Sequence, residues 1–498
     1  MIEGILIGLN TALSLKNILM VVMGCFFGTI IGMLPGLGPM TAIALMIPIT
    51  YGFDPATGLI LMAGVYYGAV FGGSTSSILI NAPGIPGTVA TSFDGYPMAQ
   101  QGKAGKALAI AAYSSFAGGT IAAIFLLFAA PSLSKISLSF RSPDYFALMI
   151  LGLTAVAAFS SKGQFLKAMM MAVLGLMLAC VGQDTLSDIP RFTFNNMNLS
   201  DGISFVLVVM ATFAMSEALT IILRGTDPSS AAKAISLKEL GSIKLDKDET
   251  KKTLKTIPRS SVIGFIVGVL PGAGSTIASF LAYGMERNFV NKEEKEKFGK
   301  GSVHGLAAPE TANNAACSGS FVPLLTLGIP GSGTTAVMLG ALLGFGIQPG
   351  PRLYQTNPEI FWSVIMSMYI GMVVLLILNL PLIPYIARVL ATPRTFLIPL
   401  ILFFSLTGVY LMSFNNFDIY MMIGIAVVAT VLRLYNFPMP PLILAFVLGG
   451  LMEENLRRSL LISDGSWTFL WDRPLTIIIM LTIIIIVGWQ IYRVFKPK

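Results

Sequence analysis

Apolar runs, cut at short intervals by glycine and proline, dominate the chain. They fall at about 17–34, 38–52, 56–72, 104–130, 144–160, 164–182 and 202–223. After a polar interval they resume at 258–271, 273–285, 303–349 (interrupted), 359–390, 395–412, 417–435, 438–452 and 474–495. A helix crossing a bilayer needs about 20 residues, whereas pieces of 10–14 suit re-entrant or broken segments. The pattern predicts an all-α polytopic membrane protein with about ten to twelve transmembrane helices and several broken or re-entrant segments.

The order of these runs suggests three parts: a first membrane repeat over 1–224, a basic linker over 225–259, and a second membrane repeat over 260–498 ending in an anchor helix. The linker carries Lys233, Lys238, Lys244, Lys247, Lys251, Lys252, Lys255 and Arg259 against only five acids, an excess that assigns it to the cytoplasm. The two membrane parts echo one another. Gly32-Met-Leu-Pro35-Gly36-Leu-Gly38 returns as Gly268-Val-Leu-Pro271-Gly272-Ala-Gly274. Gly84-Ile-Pro86-Gly87 returns as Gly328-Ile-Pro330-Gly331, and Arg141-Ser-Pro143 with Phe146 as Ala391-Thr-Pro393 with Phe396. The matches keep their order, as two related halves would.

Composition narrows the class further. Hydrophobic residues make up 55% of the chain and charged ones only 11%, less than half the roughly 25% of a soluble domain. The net charge of +8 sits largely in short loops, where it orients membrane spans rather than binding nucleic acid. Cys25, Cys180 and Cys317 all lie in apolar runs without metal or disulfide spacing. Glu3 precedes any basic residue and the first apolar run continues into the body of the protein, so the N-terminus reads as retained, not as a cleaved signal.

The chemistry points to the breaks. Proline lacks an amide donor and glycine weakens helices, so Leu-Pro-Gly inside an apolar run frees backbone groups. A membrane tolerates these only inside protein or along a wet cavity. Secondary transporters place such breaks at matching positions of two repeats, with helix N-termini toward an anionic substrate and free carbonyls toward a coupling cation. The candidate substrate residues are therefore Pro35, Gly36, Asn81, Gly84, Pro86, Gly87 and Thr88 in the first half. In the second half they are Pro271, Gly272, Asn313, Asn314, Pro330, Gly331, Ser332 and Thr334. Their hydroxyls, amides and backbone N–H groups can hold carboxylate oxygens without a buried arginine. Glu310 is an ionisable group inside an apolar run, and such groups are usually functional; it is the candidate coupling-cation ligand. Asp94 reads as a cap or loop residue.

Enzymatic readings find little support. No Gly-Lys pair completes a phosphate-binding loop, no Gly-x-Ser-x-Gly elbow occurs, and His304 is the single histidine. A non-transporting membrane scaffold and an intramembrane hydrolase are the two alternatives to a transporter, and no organic cofactor is expected.

At these motifs the chain resembles the large membrane subunit of the tripartite tricarboxylate transporter family. The matching pieces are Gly32–Pro39, Tyr66-Tyr67-Gly68 through Asn81-Ala-Pro83-Gly84-Ile-Pro86-Gly87, Asp94-Gly95-Tyr96-Pro97 and Gly268–Ser275. The most specific are Ala308-Pro309-Glu310-Thr311-Ala312-Asn313-Asn314 and Leu325-Thr-Leu-Gly328-Ile-Pro330-Gly331-Ser332. Pro441–Gly449 and Glu454-Asn-Leu-Arg457-Arg458-Ser459 extend the likeness; Thr311 stands where alanine is commoner. The resemblance implies a Na⁺- or H⁺-coupled uptake permease in a bacterial inner membrane, working with a small membrane subunit and a periplasmic solute-binding protein. Its substrate would be a small di- or tricarboxylate such as citrate.

Loop charge adds a topology. The 258–285 stretch is broken at Pro271-Gly272 and flanked on both sides by basic residues, which predicts a re-entrant hairpin with both flanks in the cytoplasm. The equivalent 17–52 stretch has only Lys16 before it and Asp54 after it. It fits the opposite side, which would make the repeats inverted.

Overall fold

The computed structural model describes residues 2–34, 36–158, 164–184, 187–224, 241–386 and 394–495. Pro35 and most of the N-terminal part of the linker, 225–240, lie outside them. Among the described residues the fold is helical apart from one antiparallel ribbon, β1 (Gly182–Gln183) with β2 (Pro190–Arg191).

The first half contains α1 (Ile2–Ala12), α2 (Leu15–Met33), α3 (Gly38–Thr50) and α4 (Pro55–Ile80). It continues with α5 (Val89–Met98), α6 (Ala104–Ser137), α7 (Ser142–Ala158), α8 (Phe165–Ala179) and α9 (Phe205–Arg224). The second half contains α10 (Lys247–Val269), α11 (Gly274–Phe289), α12 (Val303–Gly319), α13 (Phe321–Leu327) and α14 (Gly333–Gly344). It ends with α15 (Pro358–Asn379), α16 (Arg394–Ser413), α17 (Asn416–Leu434), α18 (Pro440–Ile462) and α19 (Pro474–Phe495). Seven candidate spans among the described residues are long and apolar enough to cross a membrane. This is fewer than the ten to twelve expected, because several apolar runs fold as helices of 10–17 residues, among them α3, α7, α8 and α14. Within the 225–259 interval α10 begins at the Asp246–Glu249 capping box and runs through Pro258 into the apolar stretch.

Two hairpins organise the interior. Lys16, at the start of α2, pairs with Asp54, just after α3, at 2.5 Å. Thr57 Oγ1 donates to Asn17 Oδ1 at 2.7 Å beside them. The chain therefore enters through α2, turns at Leu34–Leu37 and leaves through α3 at the end where it entered. In the second half Arg259 pairs with Glu286 at 2.6 Å and Lys252 with Glu294 at 3.1 Å, so the flanks of α10 and α11 also share one end.

Glycine stripes set the packing. Gly24, Gly28 and Gly32 of α2 lie against the backbone of Leu61, Val65 and Ala69 of α4, while Gly68 and Gly72 lie against Cys25 and Thr29. The numbers rise together, so α2 and α4 run parallel. Gly264 and Gly268 of α10 meet Ala312 and Ala316 of α12 in the same way, and Gly319 meets Phe265. Small residues let backbones approach closely where lipid gives no hydrophobic drive to associate. Between the halves the sense reverses: Tyr67 donates to Ser318 at 3.1 Å and Ser74 to Glu310 at 2.7 Å, which makes α4 and α12 antiparallel.

The breaks match at the level of backbone geometry. Gly36 and Gly38 take positive φ (98° and 65°), as do Gly272 and Gly274 (80° and 61°). Helix α4 ends on Asn81 at φ 53°, whose N–H donates to Ser76 O, and α13 ends on Gly328 at φ 69°, whose N–H donates to Pro323 O. Gly84 lies on Gly32 O and Gly73, and Gly331 on Gly268 O and Ser320.

Candidate functional site

A cavity of about 610 Å³ opens where the first hairpin tip meets the break after α4. Gly36 to Thr41 form one wall and Pro83 to Pro86 with Val89 another, while Phe213, Glu217, Arg433 and Phe437–Pro440 close it. The volume falls within the 300–1,000 Å³ usual for small-molecule sites.

Three helices begin at this cavity. Leu37 caps α3, Met439 caps α18, and Ile85 caps the short 3-10 turn Pro86–Thr88 that runs on into α5, and none of the three accepts a hydrogen bond in its side chain from the helical segment it starts. The first N–H groups of a helix have no intrahelical partner and carry partial positive charge, so converging helix starts favour an anion. Pro39 and Pro440 stand within the first two positions of α3 and α18, where their missing N–H costs nothing.

Arg433 supplies full charge. It lies in the last turn of α17 and pairs with Glu217 of α9. Its Nη2 donates to Thr212 O at 2.9 Å and its Nε to Ser216 Oγ at 2.9 Å. Thr212 can accept because α9 widens into a π turn over Met210–Met215, a distortion that recurs at functional sites. The guanidinium lies 5.8 Å from the Phe213 ring centroid. A guanidinium has five N–H donors, and these contacts leave some of them for a ligand. Among the described residues Glu217 is the only carboxylate on the cavity wall, and a Cβ on Gly36 would stand 3.2 Å from its Oε1.

The second half reaches this region by contact. Met40 of the first hairpin touches Gly333 at the start of α14, and Ser275 and Asn313 touch Gly87 after the first-half break. Each half's hairpin thus packs against the other's break. Asn313 is fully buried, with neither amide atom hydrogen-bonded among the described residues. Ser332 caps α14 reciprocally with Thr335 and lies 3.4 Å from the Tyr66 hydroxyl. Gly272 N–H donates to Gly331 O at 3.0 Å, which joins the second hairpin tip to the second-half break.

The sequence-predicted residues therefore divide. Gly36, Gly84 and Pro86 line the cavity, while Gly87, Asn313 and Ser332 stand behind it. Thr88 is turned inward: it donates to Ile85 O at 3.0 Å and accepts from Ser77 at 2.8 Å. Asn81 is an exposed left-handed cap, and Pro271, Gly272, Pro330 and Gly331 form the packed second-half junction. Asn314 donates to Glu310 O at 3.1 Å, and Thr334 is buried in the first turn of α14. Among the described residues the first-half breaks line this cavity and the second-half breaks do not. Arg433 was invisible to sequence reasoning because an arginine closing an apolar helix reads as an interfacial anchor. The one available signal was Glu217, an acid inside another apolar run.

Two other groups have structural roles. Asp94 sits within α5 and accepts from the N–H groups of Gly299, Gly301 and Ser302 (2.9, 2.9 and 2.7 Å) and from the Tyr283 hydroxyl at 3.0 Å. It ties the first-half break helix to the chain leaving the second hairpin. His304 lies 2.6 Å from Thr256 Oγ1 and 3.3 Å from Glu286, within the network that closes that hairpin.

Known proteins give the same direction. The family model described as "Tripartite tricarboxylate transporter TctA family" matches residues 18–444. A 52.8 kDa protein of the TAR-I ttuC' 3' region of Agrobacterium vitis is 42% identical over 466 residues, covering 94% of this chain and 91% of that protein. A protein of the TAR-II ttuC' 3' region of the same organism is 44% identical over 212 residues, 43% of this chain and 87% of its own length.

Proposed function

Because the chain belongs to the tripartite tricarboxylate transporter TctA family, we propose that it is the cation-coupled permease importing a small di- or tricarboxylate across a bacterial inner membrane. The observation that carries this reading is the convergence of three uncapped helix starts and Arg433 on one cavity. Carboxylate oxygens find backbone N–H donors and an arginine fork there. Glu217 holds the guanidinium in place and is the anion that an arriving substrate must displace or share.

The substrate reaches the permease from a periplasmic solute-binding protein, and a small membrane subunit completes the transporter. The two halves are inverted repeats. Parallel α2 and α4, parallel α10 and α12, and antiparallel α4 and α12 all support that symmetry. In inverted-repeat transporters one repeat rocks against the other around a site at their junction, and crossed hairpins suit such a motion.

Co-reconstitution of the chain with the small membrane subunit in liposomes, with the binding protein and a labelled carboxylate outside, tests the proposal. Accumulation should require an inward Na⁺ or H⁺ gradient. A scaffold would bind its partners yet give no gradient-dependent uptake of any di- or tricarboxylate tried, and that result would sink the permease reading.

A further inference from the structure

A second cavity, of about 660 Å³, lies at the far end of α18. Pro440 at the start of that helix lines the cavity beside Arg433, whereas Glu454, Asn455 and Arg458 near its end line this one. Pro440 and Glu454 stand about 21 Å apart along a helix axis. The two cavities share no lining residue. Gly328, the left-handed residue on which α13 stops, forms part of the wall, so this cavity reaches the second-half break as the other reaches the first.

Its face follows from α6. Lys106, in the first turn of α6, pairs with Glu249 of the α10 capping box at 2.9 Å, which puts that start at the linker end of the molecule. The 34 residues of α6 then rise about 51 Å, more than a bilayer core of about 30 Å. Ser137 and Leu138, at the other end of α6, line the cavity. The cavity therefore lies at the face opposite the basic linker.

Charge selects the ligand. Arg141, Arg352 and Arg458 line the cavity against one carboxylate, Glu454. Glu454 is already matched by Arg458 at 2.5 Å. Arg141 and Arg352 form no ion pair among the described residues. Asp144, the next acid along the chain, does not balance them. It is buried, pairs with Arg473 at 3.0 Å, and accepts from the Arg141 backbone N–H and the Thr476 hydroxyl. Two guanidinium forks without counter-charge, on the wall of a space of small-molecule size, suit an anion with at least two carboxylates. Because all three arginines are exposed, solvent and salt screen them and binding is weak.

We propose that this cavity is a second anion site, in which Arg141 and Arg352 hold a small di- or tricarboxylate at the face opposite the linker. It captures the anion ahead of the Arg433 cavity, and α18 spans the distance between the two. That place in the transport path rests on the permease reading; the binding itself does not.

The test is local protection of a thiol in the full-length protein in detergent. Gln348→Cys in a Cys180→Ser background puts a reactive thiol on the cavity wall, since Cys25 and Cys317 are buried. Its rate of reaction with N-ethylmaleimide is compared with and without citrate, at an ionic strength held constant by choline chloride. Citrate should slow the reaction saturably, and acetate should not. Arg141→Gln combined with Arg352→Gln should raise the half-protecting citrate concentration about tenfold, as the loss of two exposed charge pairs predicts. Arg433→Gln should leave it unchanged, which separates this site from the other cavity. No slowing by citrate, equal slowing by acetate, or protection lost with Arg433→Gln and kept in the double variant would overturn the proposal. So would protection by added phosphatidylglycerol but not by citrate, which would make the arginines a lipid-headgroup site. Uptake in liposomes separates the two readings. Gradient-driven uptake without citrate protection leaves the permease and removes the second site, and protection without uptake does the reverse.

Discussion

Arg433 concentrates most of the chemistry at the scale of single residues. Its fork is fixed by Thr212, Ser216 and Glu217, so a carboxylate meets a pre-oriented cation. Arg433→Gln should weaken carboxylate binding at least about 30-fold, matching the 2 kcal/mol or more lost when one partner of a buried charge pair is truncated. Arg433→Lys keeps the charge but loses the planar fork, and should fall between wild type and the glutamine variant. Carboxylate-dependent thermal stabilisation reads both; equal affinity in all three proteins would remove Arg433 from the site. The sequence announced the proline and glycine residues of the breaks, because their backbone effect is local. It could not announce Arg433, because the partner that makes it functional lies 216 positions away and is met only through a π turn.

Among the elements, the glycine stripes decide which helices touch. A Cβ on Gly268 would collide with the Ala316 backbone, whereas one on Gly284 meets nothing within 4 Å. Gly268→Ala should therefore destabilise by about 1–3 kcal/mol, the usual cost of overpacking. Gly284→Ala should be neutral or gain up to about 1 kcal/mol from helix propensity. Thermal inactivation of the two variants in one detergent distinguishes them, and an equal response would mean that the close α10–α12 approach does not exist. Apolar runs such as 17–34 were legible as helices, since periodic breaks bounded them. Span number was not, because α3 and α14 are apolar enough to cross yet only 13 and 12 residues long. Length in space depends on where the neighbouring helix ends.

For the molecule as a whole, the hairpins set a topology that labelling can read. Single cysteines at Asn291 and Lys244 should react from one face of the membrane, because α10 and α11 share their flanking end. A cysteine at Gly52 should react from the other face, since the first hairpin enters beside Lys16 and Asp54. Reaction of Asn291 and Lys244 from opposite faces would mean that the segment crosses. Loop charge sufficed to suggest these hairpins. The packing of each hairpin on the other half's break required side chains and backbone in three dimensions.

That crossing has a consequence for how the protein is made. Gly87 meets Ser275 and Asn313, residues translated nearly 190 and 226 positions after it. At 5–20 residues per second, the ribosome reaches Asn313 on the order of 10–45 s after Gly87. Throughout that interval the nascent first half sits in the bilayer with one side of its break uncovered. The two halves therefore cannot mature one after the other, and the earlier must wait, incompletely packed, for the later.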